Sequence, residues 1–275
     1  MGVEEIFRLI LLIGSVMIFI MSFILWFHPK GLFPNRILGM LIFAWGYGVF
    51  IFAVQSKAFF ISYPHLFGVG TALIFLFFPL MFMYIKTYLF KEQRKVANLL
   101  IHLVPFFIFS ISLSSFYFQS AANKADLIAN GLPQWVRDIF YYGNIAIISL
   151  GVLYTILSFR IIDKFEHHSK LKLSKFQAKA ILWLKQFLII NAVLWAIGTS
   201  GVFIEMLGVD IPFDLFRVYY LGLTILTLWM SIFTIYKPDL FNVTAGESEF
   251  DFKRIIRIKK LRGASDKKGL INISD

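Results

Sequence analysis

Few polar side chains interrupt the apolar runs of this sequence, and those few are the residues whose types can do chemistry. His65 stands at the start of one long run, and Asn144 and Asn191 lie within two others. Glu205 and Arg217 flank the link between the last two runs. A polar group inside an apolar membrane segment is costly unless it has a partner or a ligand. These five residues are therefore the candidate ligand-binding set.

Each candidate also has a purely structural interpretation, which stays open at this point. The two asparagines can simply hydrogen-bond neighbouring helices. Arg217 can pair with Glu205 or Asp214 at the edge of the membrane. His65 can cap the mouth of its own helix.

No motif of an enzyme or a metal site accompanies these residues. The chain has no cysteine, which excludes disulfides, thiolate metal sites and thiol catalysis. Its five histidines include no pair four residues apart beside a glutamate, the pattern of zinc metalloproteases. The last apolar run has no central lysine for a retinal Schiff base. We therefore expect no catalytic residue, no metal and no cofactor.

The elements that position the candidates are seven apolar stretches. The chain is 59% hydrophobic with a mean hydropathy of +0.75, well above the 45–50% that is usual for soluble domains. A helix of about 20 apolar residues crosses a bilayer. Such stretches occupy residues 9–27, 37–54, 66–85, 99–117, 139–159, 180–203 and 218–235. The predicted fold is all-α, a polytopic membrane protein with seven transmembrane helices, and Pro79 and Pro105 are expected to kink two of them.

Basic residues predict the orientation of these helices. One side of the membrane would carry only five of the 27 lysines and arginines, namely Arg8, Lys57, Lys124, Arg137 and Arg217. By the positive-inside rule this poorer side is outside, so the N-terminus is outside and the C-terminus is cytoplasmic. The expected location is the inner (plasma) membrane of a cell.

Two regions of very different size follow from this topology. Residues 1–241 form the predicted seven-helix transmembrane domain, and residues 242–275 form a short basic cytoplasmic tail. The tail segment FDFKRIIRIKKLRG can place apolar residues on one helical face with basic residues around it. Such a segment beside a membrane binds anionic lipid, so the lipid bilayer is its expected partner and nucleic acid is not.

The order of several short motifs resembles the seven-helix sensor region of membrane-bound AraC-type transcriptional regulators of Bacteroidota. The stretch YPHLFGVGTALIFLFFPLMFMYIKTYLF resembles the third helix of that region, although Phe78 replaces the glycine of its Gly-Pro-Leu triplet. LLIHLVPFFIF, SKFQAKAILWLKQFLII and YKPDLFN resemble the starts of the fourth and sixth helices and the end of the seventh. The resemblance covers about residues 5–243.

That resemblance implies a sensory function. In the family the membrane region passes a signal to a cytoplasmic helix-turn-helix domain, but only 34 residues follow Phe241 here, which is too short for that output domain. We expect a sensory or signal-transducing module with an outward-facing pocket for a small or lipid-like signal. It would report to a cytoplasmic partner or act as a homo-oligomer. A small-molecule transporter or channel and a ligand-free membrane scaffold are the alternatives.

Overall fold

The structure, a computed structural model, describes residues 2–27, 33–90, 100–168, 175–207 and 214–236, and its regular secondary structure there is entirely helical. The helices are α1 (Val3–Phe27), α2 (Phe33–Val54), α3 (Lys57–Ser62), α4 (Val69–Leu89), α5 (Val104–Ser112), α6 (Ser114–Tyr117), α7 (Ala121–Asn130), α8 (Gln134–His168), α9 (Lys175–Met206) and α10 (Leu215–Tyr236). Short 3-10 turns at Pro64–Leu66 and Ile101–Leu103 precede α4 and α5. The boundary at residue 241 and the basic tail lie outside the described residues.

Six described segments are long and apolar enough to cross a membrane. They are Glu4–Phe27, Phe33–Val54, Pro64–Leu89, Gln134–His167, Phe176–Ile204 and Leu215–Ile232. Each coincides with one of the predicted stretches, because a long apolar run satisfies its backbone hydrogen bonds in lipid only as a helix. The chain is therefore an all-helical, multi-pass membrane protein.

The fourth predicted stretch differs from the other six. Its apolar helix, Ile101–Ser112, falls below the length of the six spanning segments. Pro105 lies in the first turn of α5, where a missing N–H costs nothing, so it begins this helix rather than kinking it as expected. The Ser112 hydroxyl donates to the Ile108 carbonyl at 2.9 Å, a bond that competes with the helix ladder where α5 ends.

This interrupted segment nevertheless runs along most of α4. At its start the His102 ring lies 5.0 Å from the ring of Phe82. At its end the Tyr117 hydroxyl donates to the Gly68 carbonyl at 3.1 Å. Since α4 rises 1.5 Å per residue, the two contacts are separated by roughly 21 Å along that helix.

The two ends of the bundle carry different loops. We call the end at Leu89, His168 and Lys175 the basic end, and the opposite end, at Val54 and Pro64–Leu66, the His65 end. Helix α8 has 35 residues and spans about 52 Å, which exceeds the ~30 Å hydrocarbon core. Helix α8 therefore extends beyond the hydrocarbon core, and α9, with 32 residues, does the same.

The core is a ring of helices in the order α1, α2, α4, α8, α9 and α10, in which α10 packs back on α1. Helix α5 lies outside this ring against α4. Toward the basic end the interior is filled by rings: Phe187 stacks on Trp183 at 5.5 Å and lies 5.9 Å from Trp45. The Tyr84 ring completes this cluster, 6.0 Å from Trp183. Such offset and edge-on contacts close the bundle at that level.

Candidate functional site

Two of the cavities near the His65 end of the bundle are lined by sequence-predicted candidates. The first, which we call the bundle cavity, lies among α2, α4, α8, α9 and α10 and has a volume of about 300 Å³. Its lining includes Phe52, Gln55, Ile74, Asn144, Trp195, Thr199, Val202, Asp214, Tyr219 and Tyr220. Five helices converge here, and both aromatic and polar side chains line the gap between them.

Aromatic rings form one wall of the bundle cavity. Tyr220 stacks on Phe52 with ring centroids 4.4 Å apart, and Trp195 packs edge-on against Tyr219 at 5.5 Å. Phe78 lies against Trp195 at 4.9 Å. These large side chains offer a rigid apolar contact surface to a ligand.

Polar groups are placed around that wall. The Asp214 carboxylate accepts the Phe216 backbone N–H at 2.9 Å and so caps the start of α10. The Thr199 hydroxyl is already committed to the Trp195 carbonyl at 2.8 Å. The Trp195 indole N–H is buried and has no acceptor among the described residues. A cavity with an apolar wall and a few polar groups suits a small ligand with an apolar body and a hydrogen-bonding group.

The second cavity, which we call the side cavity, lies between α4, α5 and α7 and has a volume of about 340 Å³. It is lined by His65, Val69, Ala72, Leu73, Phe106, Ser110, Tyr117 and Lys124. Most of this lining is apolar, and the charge of Lys124 stands at one end.

Lys124 is the most unusual residue of the side cavity, because only 2% of its surface is exposed. Its Nζ donates to the Tyr117 carbonyl at 2.6 Å and to Nδ1 of His65 at 2.9 Å. The ammonium also lies 5.7 Å from the centre of the Phe116 ring. Burial lowers the pKa of the Lys124 amine, because it disfavours the charged form.

The structure divides the sequence-predicted candidates between different places. His65 lines the side cavity, while Asn144 lines the bundle cavity. Asn191 is 3% exposed and buried within the bundle, and it lines neither of these cavities. The five candidates therefore do not form one pocket among the described residues.

Of the remaining two candidates, Arg217 lines neither the bundle cavity nor the side cavity, and the side chain of Glu205 is not described. Arg217 forms an ion pair with Glu4 of α1 at 2.6 Å and lies over the Phe7 ring. Among the described residues Arg217 thus pairs with Glu4 of α1 and not with Asp214, since α10 packs on that helix. The side chain of Glu205 lies outside the part of the chain that the structure describes.

Sequence reasoning missed the importance of Lys124, which it counted only as an outer charge. A signal was present: Lys124, Leu127 and Ile128 have the spacing of one helical face, and both of the latter are apolar. A lysine on the apolar face of a short amphipathic helix is a reason to look for a buried cation. The contact of Lys124 with His65 could not be predicted, because the two residues are 59 positions apart in the chain.

Toward the basic end, an apolar cavity of about 340 Å³ lies between α1, α2 and α4, lined by Trp26, Phe27 and Leu80 among others, and charge ties two of the other helices together. The Lys185 amine contacts Glu166 at 2.7 Å and Asp163 at 3.8 Å, which links α9 to the extension of α8. His102 and Tyr154 are hydrogen-bonded at 3.1 Å nearby. Among the described residues no three His, Asp or Glu side chains are grouped to hold a metal ion.

Comparison of the chain with protein-family models, with curated proteins and with solved structures gives no match. The resemblance of its motifs to a sensor region therefore stays an expectation. The function has to be inferred from the bundle cavity, the side cavity and the aromatic packing toward the basic end.

Proposed function

We propose that this protein is a seven-helix sensory module of the inner membrane that binds a small or lipid-like signal in its bundle cavity. The observation that carries the proposal is the difference between the two ends of the bundle. The His65 end has a cavity with polar groups, whereas close aromatic packing fills the bundle interior toward the basic end. The bound signal would shift the balance between two helix arrangements, and a cytoplasmic partner would respond to that shift.

Seven crossings are supported by the course of the fourth stretch. It contacts Phe82 of α4 at one end and Gly68 at the other, so it changes level by nearly the thickness of the hydrocarbon core. Loops on either side of it then lie on opposite faces of the membrane. An odd number of crossings separates the N-terminus from the C-terminus.

The orientation is supported by charge. The loops and helix ends at the basic end carry 13 of the 27 lysines and arginines of the chain, against five at the His65 end, and the more basic loops stay in the cytoplasm. The His65 end and both cavities then face outward. The ion-paired extensions of α8 and α9 would project into the cytoplasm, where a partner can contact them.

Helix α10 provides a route from the cavity to the cytoplasm. Its first turns contribute Tyr219 and Tyr220 to the cavity wall, and its far end leads into the basic tail. A ligand that binds between Trp195 and Tyr220 more tightly in one arrangement would therefore bias the position of α10.

Thiol labelling tests orientation and closure directly, because the chain has no cysteine to remove. Single replacements Asn123→Cys, Val202→Cys, Ser158→Cys and His167→Cys sample the His65 end, the bundle cavity, the closed interior and the basic end. Each variant is exposed to a charged, membrane-impermeant thiol reagent in intact spheroplasts and in inverted vesicles.

We expect Asn123→Cys and Val202→Cys to react only from outside, His167→Cys only from inside, and Ser158→Cys from neither side. A transporter would expose position 202 or 158 to the inside during its cycle and would give substrate flux in proteoliposomes. Labelling of position 123 from the inside would refute the orientation.

A second measurement separates a sensor from a ligand-free scaffold. A bulky thiol reagent attached to Val202→Cys fills the cavity and acts as a surrogate ligand. We expect it to change hydrogen exchange in residues 160–167 of α8, at the opposite end of the bundle. The same reagent on Asn123→Cys is the control, and equal exchange in both labelled proteins would favour the scaffold.

A further inference from the structure

The environment of the Lys124 amine lacks an anion. Its Nζ has two acceptors, the Tyr117 carbonyl and the His65 ring nitrogen, while an ammonium has three N–H donors. No Asp or Glu carboxylate lies within 4 Å of it among the described residues. The charge is thus buried, partly hydrogen-bonded and unpaired.

A buried charge without a counter-ion is strongly unfavourable, because desolvation is not offset by Coulomb attraction. The acidic residues nearest in sequence do not relieve it. Asp126 accepts from Asn130, and Asp138 accepts from Gln134, both on the exposed surface. An anion therefore has to come from outside the described part of the chain if the amine is to remain charged.

The cavity beside Lys124 defines what kind of anion fits. Val69, Ala72, Leu73 and Phe106 line it with apolar surface, and only a few polar groups stand at the Lys124 end. A volume of about 340 Å³ lies at the small end of the usual range for ligand sites. A fully polar ion would leave this apolar surface unfilled, whereas an apolar chain with one oxyanion satisfies both parts.

We propose that the side cavity binds an amphipathic monoanion, with its oxyanion on the Lys124 ammonium and its apolar chain along α4 and α5. A carboxylate oxygen would take the third N–H of Lys124. His65, which accepts from the same ammonium, is a positioning residue for it. The site is distinct from the bundle cavity and goes beyond the proposed sensing function, so either can fail without the other.

The shared chemistry can come from a free short-chain carboxylate or from the phosphate of an anionic phospholipid, and two arms of one experiment separate them. In the first arm, hexanoate is titrated into the full-length protein in neutral maltoside micelles by calorimetry, with hexanol and hexylamine as matched probes. In the second arm, thermal unfolding is compared in phosphatidylcholine and phosphatidylglycerol nanodiscs.

The variants are Lys124→Met, which keeps the length but removes the charge, and Lys124→Arg, which keeps the charge. Lys57→Met is the matched control, because the Lys57 amine donates to the Ala129 carbonyl of the same helix α7 but is exposed. Ser110→Leu fills the side cavity and leaves the ammonium in place, so it tests the cavity in a protein whose buried charge is unchanged.

For a free carboxylate we expect hexanoate binding to the native protein and to Lys57→Met, at least about 10-fold weaker binding to Lys124→Met, and recovery in Lys124→Arg. Ser110→Leu should weaken hexanoate binding as well, and hexanol and hexylamine should bind poorly. If phosphatidylglycerol instead stabilises the native protein and not Lys124→Met, the oxyanion belongs to a lipid and the proposal holds. Equal hexanoate binding to Lys124→Met and the native protein, or no response in either arm, would overturn it.

Discussion

The two halves of helix α4 are both largely apolar but have opposite surroundings. From Phe77 to Ile85 every residue is buried, and aromatic rings of α2 and α9 surround this half. From Val69 to Leu76 most residues are only partly buried, and several of them line one of the two cavities. One helix is therefore fully packed in its half toward the basic end and borders cavities in its half toward the His65 end.

This difference shows that one membrane helix can be tightly packed along one half and border cavities along the other. Lipid tails are as apolar as the core, so helices associate through close packing rather than through burial from water. The packed half supplies that association, and the open half is free to leave volume for a ligand. If the packed half contributes more to stability, substitutions there should lower the free energy of unfolding more than substitutions in the open half.

Truncation of the packed cluster should cost far more than truncation at a cavity. Phe187 is fully buried, so Phe187→Ala should lower the free energy of unfolding by about 3 kcal/mol or more. Val69→Ala, at the edge of the side cavity, should cost less than about 1 kcal/mol, since its neighbours already leave space. Unfolding in mixed micelles measures both, and equal losses would remove the distinction between the halves.

Two glycines make a finer comparison. A Cβ at Gly151 would lie 2.7 Å from the Trp195 indole nitrogen and 3.0 Å from the Phe78 ring, whereas one at Gly70 would meet Ile51 at an ordinary 3.5 Å. Gly151→Ala should destabilise by about 1–3 kcal/mol, because rings must move.

Gly70→Ala should be neutral or stabilise by about 0.5 kcal/mol, because alanine loses less backbone entropy in a helix. The same unfolding assay measures the pair. A Gly70→Ala variant as unstable as Gly151→Ala would show that the open half is packed more tightly than its cavities indicate.

The smallest effect concerns two tyrosine hydroxyls. The Tyr117 hydroxyl donates to the Gly68 carbonyl, while the buried Tyr88 hydroxyl has no partner among the described residues. Tyr117→Phe should therefore cost about 1 kcal/mol, and Tyr88→Phe should be neutral or slightly stabilising. A marked loss in Tyr88→Phe would mean that the packed half holds a water or another partner for that hydroxyl.

Much of the fold was predictable because it depends on local composition. Six apolar runs became the six long helices. The fourth stretch was harder, since Pro105 can kink a helix or begin one. Which it does depends on where the helix starts, and the apolar run itself did not reveal that position.

The candidate site was predicted less well, and for a different reason. His65 and Asn144 both lie beside cavities, but the sequence offered no reason to assign them to separate ones. Arg217 faces α1 because α10 closes the ring there, which is a property of the whole bundle. The position of a helix within the ring is set by packing among all the helices. Apolar runs of similar composition do not allow that order to be predicted.

By itself, then, the sequence determined that this protein is helical and crosses a membrane several times, because the bilayer imposes a length rule that acts on each apolar segment separately. Only the tertiary structure decided that Lys124 is buried against His65 and that aromatic rings fill the bundle interior toward one end and leave cavities toward the other. Those features arise where distant segments meet. Their energies depend on distances of a few ångströms that no single segment specifies.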